Sequence, residues 1–149
     1  MEIMNAARWK LENESDKKRR AQMKPIFLQC GQNIYYLVSG HEDDIAQCLP
    51  EGTKILDETS SEGAGEKHLP VVEKKGEIIH VQVGSIEHPM TVEHSIRWVF
   101  LETKKGGQFA YLLPDEKPEA FFVVEKGDEA VAAHIYCNQH GIWKTEITP

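Results

Sequence analysis

From residue 60 onward the chain consists of short apolar runs separated by turn residues, with no stretch of helical periodicity. "LPVVEKKGEIIHVQVGS" gives two strand-like runs joined at a Lys-Gly turn, and "SIRWVFLET" alternates before breaking at "KKGGQ". "FAYLLP", "EAFFVVEKGDE" and "AVAAHIYC" follow at regular intervals. Evenly spaced strands with turn signals between them are the pattern of an antiparallel β-sandwich, because alternate side chains can be buried only between two sheets. The expected class is all-β.

The chain before this point reads differently. Residues 3 to 24 carry a short apolar face (Ile3, Ala6, Ala7, Trp9) and then a charge cluster, and Pro25 marks an end, so residues 1–25 are expected to form a helical extension. Residues 26–57 hold two further strand-like runs, "PIFLQC" and "IYYLVSG", and an acidic stretch rich in turn residues. "SSEGAGE" reads as a linker, and residues 58–149 as the main domain.

Composition excludes several classes. At 149 residues, 40% hydrophobic and 28% charged, the chain suits one folded domain with a small appendage. A net charge of −7 argues against nucleic acid as a partner, though an anionic substrate depends only on local charge. No apolar run reaches the ~18–20 residues that cross a bilayer, and the N-terminus turns polar too early for a signal-peptide core. Three cysteines cannot all pair within one chain. A cytoplasmic protein without a disulfide framework is expected.

The histidines carry the chemistry. His68 follows the Gly-rich loop, His88 lies in "GSIEHPM", His94 opens "HSIRWVF", and His140 stands three residues after Cys137 in a turn closed by Gly141. All four fall at strand ends or in turns, where loops at one end of a sandwich can converge. Strand parity sets the others apart: His134 points away from the face of Ala133, Ile135 and Cys137, towards solvent or a neighbouring sheet, and His80 reads the same way. His41 sits in the polar "GHEDD" stretch. Four imidazoles and a thiolate exceed the four ligands of closed structural zinc and suit a redox-active metal with one position open.

The segments "GEKHLPVVE", "VGSIEHPMTVEHSIRWV" and "YCNQHGIWK" closely resemble the iron-binding segments of superoxide reductase, the catalytic domain of desulfoferrodoxin and neelaredoxin. The resemblance spans residues 58–149, with the segments in the family's order. It implies an immunoglobulin-like β-sandwich with one iron ion (Fe2+/Fe3+) per chain, held by His68, His88, His94 and His140 in the equatorial plane and by Cys137 on the axis. It also implies one-electron reduction of superoxide to hydrogen peroxide, a thiolate that favours release of peroxide, and re-reduction by rubredoxin or a similar donor. Lys67 would add positive charge and hold a proton-supplying water, and Glu66 would close the open position in the oxidised enzyme. A homo-oligomer, dimer or tetramer, is expected. Asn138 and Gly141 would shape the last turn, whose N–H groups can reach the Cys137 sulfur. Tyr136, Trp98 and Trp143 can wall the site or serve as plain core.

By the same resemblance, "FLQCGQNIYYLVSG" matches the start of the family's small four-cysteine iron domain, of which only Cys30 and Cys48 remain. Two thiols cannot make that tetrahedral site, so residues 26–57 are expected to be a degenerate desulforedoxin-like segment without its own iron. A Cys30–Cys48 disulfide and a site shared across a dimer stay open, both disfavoured in a reducing cytosol. Two readings compete with the enzyme. One is a non-catalytic iron-binding electron-transfer module on the same fold, and the other is a structural β-domain with scattered histidines.

Overall fold

The computed structural model describes residues 14–15, 24–39, 45–59 and 65–149. The expected helix over 3–24 and His41 lie outside these residues, apart from Glu14 and Ser15, which are helical, and the coil at Lys24 and Pro25. Eleven strands form three sheets among the described residues. In chain order these are β1 (Ile26–Cys30), β2 (Asn33–Leu37), β3 (Lys54–Ile55), β4 (Glu58–Thr59), β5 (Pro70–Lys75), β6 (Ile78–Val83), β7 (Ile96–Thr103), β8 (Gly106–Tyr111), β9 (Glu119–Val123), β10 (Ala130–Cys137) and β11 (Gly141–Glu146). Two four-residue helical turns, α1 (Ile45–Cys48) and α2 (Gly65–His68), complete the set.

The sandwich faces the five-stranded sheet β4-β11-β10-β7-β8 against β5-β6-β9. Its core follows from alternation: Ile79, Val81 and Val83 of β6 and Phe122 of β9 meet Val99 and Leu101 of β7 and Ala133, Ile135 and Cys137 of β10. The two central strands are not half-exposed, however. β7 is buried along nearly its whole length, where its sequence suggests alternation. The reason is a third layer. The sheet β2-β1-β3 lays Phe27 onto Trp98 and Phe100, with ring centroids 5.0 and 5.8 Å apart, and Ile34, Tyr36 and Leu56 pack alongside. Burying Phe27 contributes about 1.5–3 kcal/mol.

His134 belongs to this outer face. Of the two destinations its parity allows, it takes the neighbouring sheet: it is fully buried, and its ring lies 5.8 Å from that of Phe27. Glu58 of β4 stands 2.5 Å from its Nδ1 and Glu102 of β7 2.8 Å from its Nε2, so one imidazole ties three strands together. His80 keeps partial exposure, stacked on Phe121 and bonded to Glu119.

Two sequence boundaries shift. Gly65 and Glu66, read as linker, open α2 instead. Gly106 and Gly107, read as part of a break, lie inside β8, paired with Thr103 and Glu102 of β7, and a Cβ at Gly107 would run into the Phe100 ring. The thiols of Cys30, Cys48 and Cys137 are all free.

Candidate metal centre

Three connections at one end of the sandwich supply the site. His68 closes α2 just before β5, His88 and His94 lie in the loop from β6 to β7, and Cys137 and His140 flank the turn from β10 to β11. Each connection is fixed locally. The loop after β6 turns at Gly84, whose φ of +80° favours glycine and whose missing Cβ lets the backbone pass the Lys67 carbonyl; an added Cβ would stand 2.6 Å from that oxygen. The Ile86 N–H donates to the Glu66 carbonyl at 2.9 Å, holding α2 against this loop. Thr91 closes a tight turn on His94: its N–H donates to the His94 carbonyl at 2.9 Å, and its Oγ1 accepts from the His94 N–H at 3.1 Å. The last turn closes at Gly141 with φ +78°.

The four imidazoles form a closed square. Ring centroids are 4.7 Å apart from His68 to His88, 4.7 Å from His88 to His94, 5.0 Å from His94 to His140 and 4.8 Å from His140 back to His68, each ring edge-on to the next. Nε2 of His68 lies 3.1 Å from Nε2 of His88 and 3.2 Å from Nδ1 of His140. Fully buried Cys137 approaches from the core, its Sγ 3.6 Å from His140 Nδ1. All five donor atoms fall within 4.8 Å of one another. With bond lengths of about 2.0–2.3 Å, neighbouring ligands of one ion stand ~3 Å apart and opposite ones ~4–4.6 Å, so the spread matches a single coordination sphere.

The chemistry of the donors agrees. His88 Nδ1–H donates to the Pro89 carbonyl at 2.7 Å, which fixes the tautomer and leaves Nε2 as a lone-pair donor aimed inward. Burial pushes His88 down to about 4, so it is neutral at physiological pH. Burial also lowers His94, helped by the charges of His140 and Lys67, and its buried Nε2 has no protein partner. Burial pushes the Cys137 thiol up, against the Gln139 and His140 N–H groups that donate to its sulfur. A buried thiol, neutral imidazoles and an orphaned ring nitrogen are what a bound cation satisfies. Iron fits this donor set.

The square is open to solvent on one side. His140 is exposed and His94 half-buried, while His68 and His88 are closed off. Lys67 and Glu66 are exposed on α2, and the Lys67 charge reaches the His94 ring. His80 and His134, set aside by parity, stand outside the cluster. Trp143 walls the site, stacked on His68 with centroids 4.6 Å apart. Trp98 and Tyr136 instead stack on each other in the aromatic layer beneath the small sheet. Sequence reasoning missed Gly84, Thr91 and Gln139; only the glycine after a strand carried a readable turn signal.

An all-β sandwich with a four-histidine, one-cysteine cluster at one end defines a mononuclear non-haem metalloprotein. A family model for desulfoferrodoxin matches residues 60–146. Desulfoferrodoxin from Nitratidesulfovibrio vulgaris is 40% identical over 119 residues, covering 80% of this chain and 91% of its own. Superoxide reductase from Pyrococcus horikoshii is 36% identical over 112 residues, covering 62% of this chain and 97% of its own. The crystal structure of the superoxide reductase from Treponema pallidum superposes with a TM-score of 0.71 at 35% identity, covering 83% of this chain and 99% of its own. The chain belongs to the desulfoferrodoxin family.

Proposed function

We propose that His68, His88, His94, His140 and Cys137 hold one iron ion and that the chain reduces superoxide to hydrogen peroxide with it. The observation that carries this reading is the closed imidazole square with the Cys137 sulfur on its core side. When bound, iron supplies the single electron that superoxide takes up. The protein contributes the rest. The square's solvent-open side admits a small anion, and the exposed Lys67 ammonium beside it raises the local concentration of that anion in a chain of net charge −7. The same ammonium holds a water that donates protons to the departing peroxide. Glu66, one residue away and equally exposed, is the carboxylate that closes the site in the oxidised enzyme.

Residues 26–57 serve packing in this reading, supported by Phe27 on the Trp98–Phe100 face and by a cysteine count too low for a second iron. The boundary at residue 58 is supported by β4, which already pairs with β11 of the main sheet. Electrons come from rubredoxin or a similar external donor, since the chain keeps only two cysteines outside the cluster. A homo-oligomer is supported by exposed Ile78, Phe121 and Val123 on the outer face of β5-β6-β9. A cytoplasmic location goes with a ligand set that needs Cys137 as a reduced thiol. Among the described residues no helix is long and apolar enough to cross a membrane.

Iron loading tests the site. The oxidised protein should show a visible thiolate-to-iron charge-transfer band that Cys137→Ser abolishes; a band that survives the substitution overturns the ligand assignment.

A further inference from the structure

Asn138 follows Cys137 in the chain, yet its side chain leaves that turn and crosses to the other ligand loop. Its Oδ1 accepts the Ser95 N–H at 3.0 Å, and its Nδ2 donates to the Glu93 carbonyl at 2.9 Å. These groups belong to the two peptide units on either side of His94. One amide therefore grips both. The network also fixes the amide's orientation, since a flipped group would set donor against donor and acceptor against acceptor. The Asn138 N–H reaches the Ser95 carbonyl at 3.3 Å, and Gln139 Nε2 donates to the same Glu93 carbonyl at 2.9 Å.

We infer that Asn138 is a positioning residue whose side chain sets where the His94 ring stands relative to the Cys137 sulfur. The inference rests on the metal reading above. Asn138 touches neither substrate nor donor atom; it acts through the backbone on each side of His94. An uncharged side chain offering one acceptor and one donor at this spacing is required. Alanine removes both arms, and aspartate keeps only the acceptor and turns a carboxylate oxygen towards the Glu93 carbonyl.

The test uses the iron-loaded full chain with Asn138→Ala, Asn138→Asp and, as a remote core control, Ile79→Val. The readouts are the position of the oxidised protein's charge-transfer band, the rate of iron release to a chelator, and the thermal midpoint. Loss of an outer partner of a metal ligand typically weakens metal binding by about 10–100-fold. Asn138→Ala should therefore release iron about tenfold faster or more and move the band, with Asn138→Asp shifted in the same direction. Ile79→Val should lower the midpoint and leave band and release as in the parent. Parental band and release in Asn138→Ala overturn the inference, as does Ile79→Val matching its effects. Failure of both Asn138 variants to fold overturns it too, assigning the amide to the fold rather than the site. A parent chain that takes up no iron overturns the metal reading itself, whereas a parent that loads normally confines any failure to Asn138.

Discussion

Trp143 lies flat on His68, with ring centroids 4.6 Å apart and planes 14° from parallel, and its Nε1–H donates to the His140 carbonyl at 3.1 Å. One indole thus supports two of the imidazoles from the core side. Trp143→Phe keeps a stacking face and loses one hydrogen bond, at about 0.5–1.5 kcal/mol. Trp143→Ala opens a cavity beneath His68, at about 3–5 kcal/mol. Urea denaturation should rank the variants in that order, with iron retention following it. Equal iron retention in all three proteins would remove Trp143 from the site.

In the proposed function Lys67 acts through charge: it is exposed on α2, and its ammonium reaches the His94 ring. Lys67→Ala should slow superoxide capture at low ionic strength and flatten the salt dependence of the bimolecular rate, because screening acts on the attraction the ammonium provides. Pulse radiolysis across a salt series measures both. An unchanged rate at low salt would refute the steering role.

The Glu58–His134–Glu102 triad predicts a pH profile for stability. Burial pushes His134 down, but its bonds to Glu102 and Glu58 outweigh burial and hold it above its ordinary 6.5. Burial pushes Glu58 up, and His134 and Lys144 more than reverse this, leaving it below its ordinary 4.5. Burial and the Glu102 charge raise Tyr36, which faces the same carboxylate, and Glu146 pairs with Lys144. The His134 contribution is whole below pH 6.5 and is lost as pH rises through its folded pKa; the Glu58 contribution is whole above pH 4.5 and is lost as pH falls through its own. The triad therefore stabilises most between these limits. His134→Gln should cost about 1.5–3 kcal/mol there, because it removes charge-assisted bonds from a buried ring to two part-exposed carboxylates, of which Glu58 keeps Lys144. Urea titrations from acid to alkaline pH should show the parent–variant difference shrinking on both sides, and a pH-independent difference would contradict the ionised triad.

Gly84 is where the β6–β7 loop passes α2. A Cβ there would stand 2.5 Å from the Ile86 carbonyl and 2.6 Å from that of Lys67, at a φ unfavourable to alanine. Gly84→Ala should cost at least about 1–3 kcal/mol and displace the Lys67–His68 turn. Chemical denaturation reads the first effect and iron retention the second. A variant as stable as the parent would show that the loop passes α2 with room to spare.

Much of this was legible in the sequence because period-2 alternation and turn residues are local signals. The strands of the sandwich, the inward face of Ala133, Ile135 and Cys137, and the placement of four histidines in connections all follow from them. What alternation could not reveal was a second covered face. Trp98, Phe100 and Glu102 look like the outer face of a half-exposed strand until Phe27, more than seventy positions earlier, is seen packed on Trp98 and Phe100. The burial of His134 has the same cause. The hydrogen bonds of Asn138 to Glu93 and Ser95 were illegible for another reason: an amide's partners more than forty residues away depend on how two loops meet, and no local pattern records that.

A superoxide reductase passes superoxide one electron drawn from an external donor and does not pair two superoxides. Stopped-flow mixing of the reduced, iron-loaded chain with superoxide, followed by assays of peroxide and dioxygen, tests this most directly. The expected outcome is one hydrogen peroxide per superoxide consumed, no dioxygen from the reaction, and stoichiometric oxidation of the iron. One peroxide for every two superoxides with release of dioxygen, or no peroxide from a fully loaded site, would contradict it.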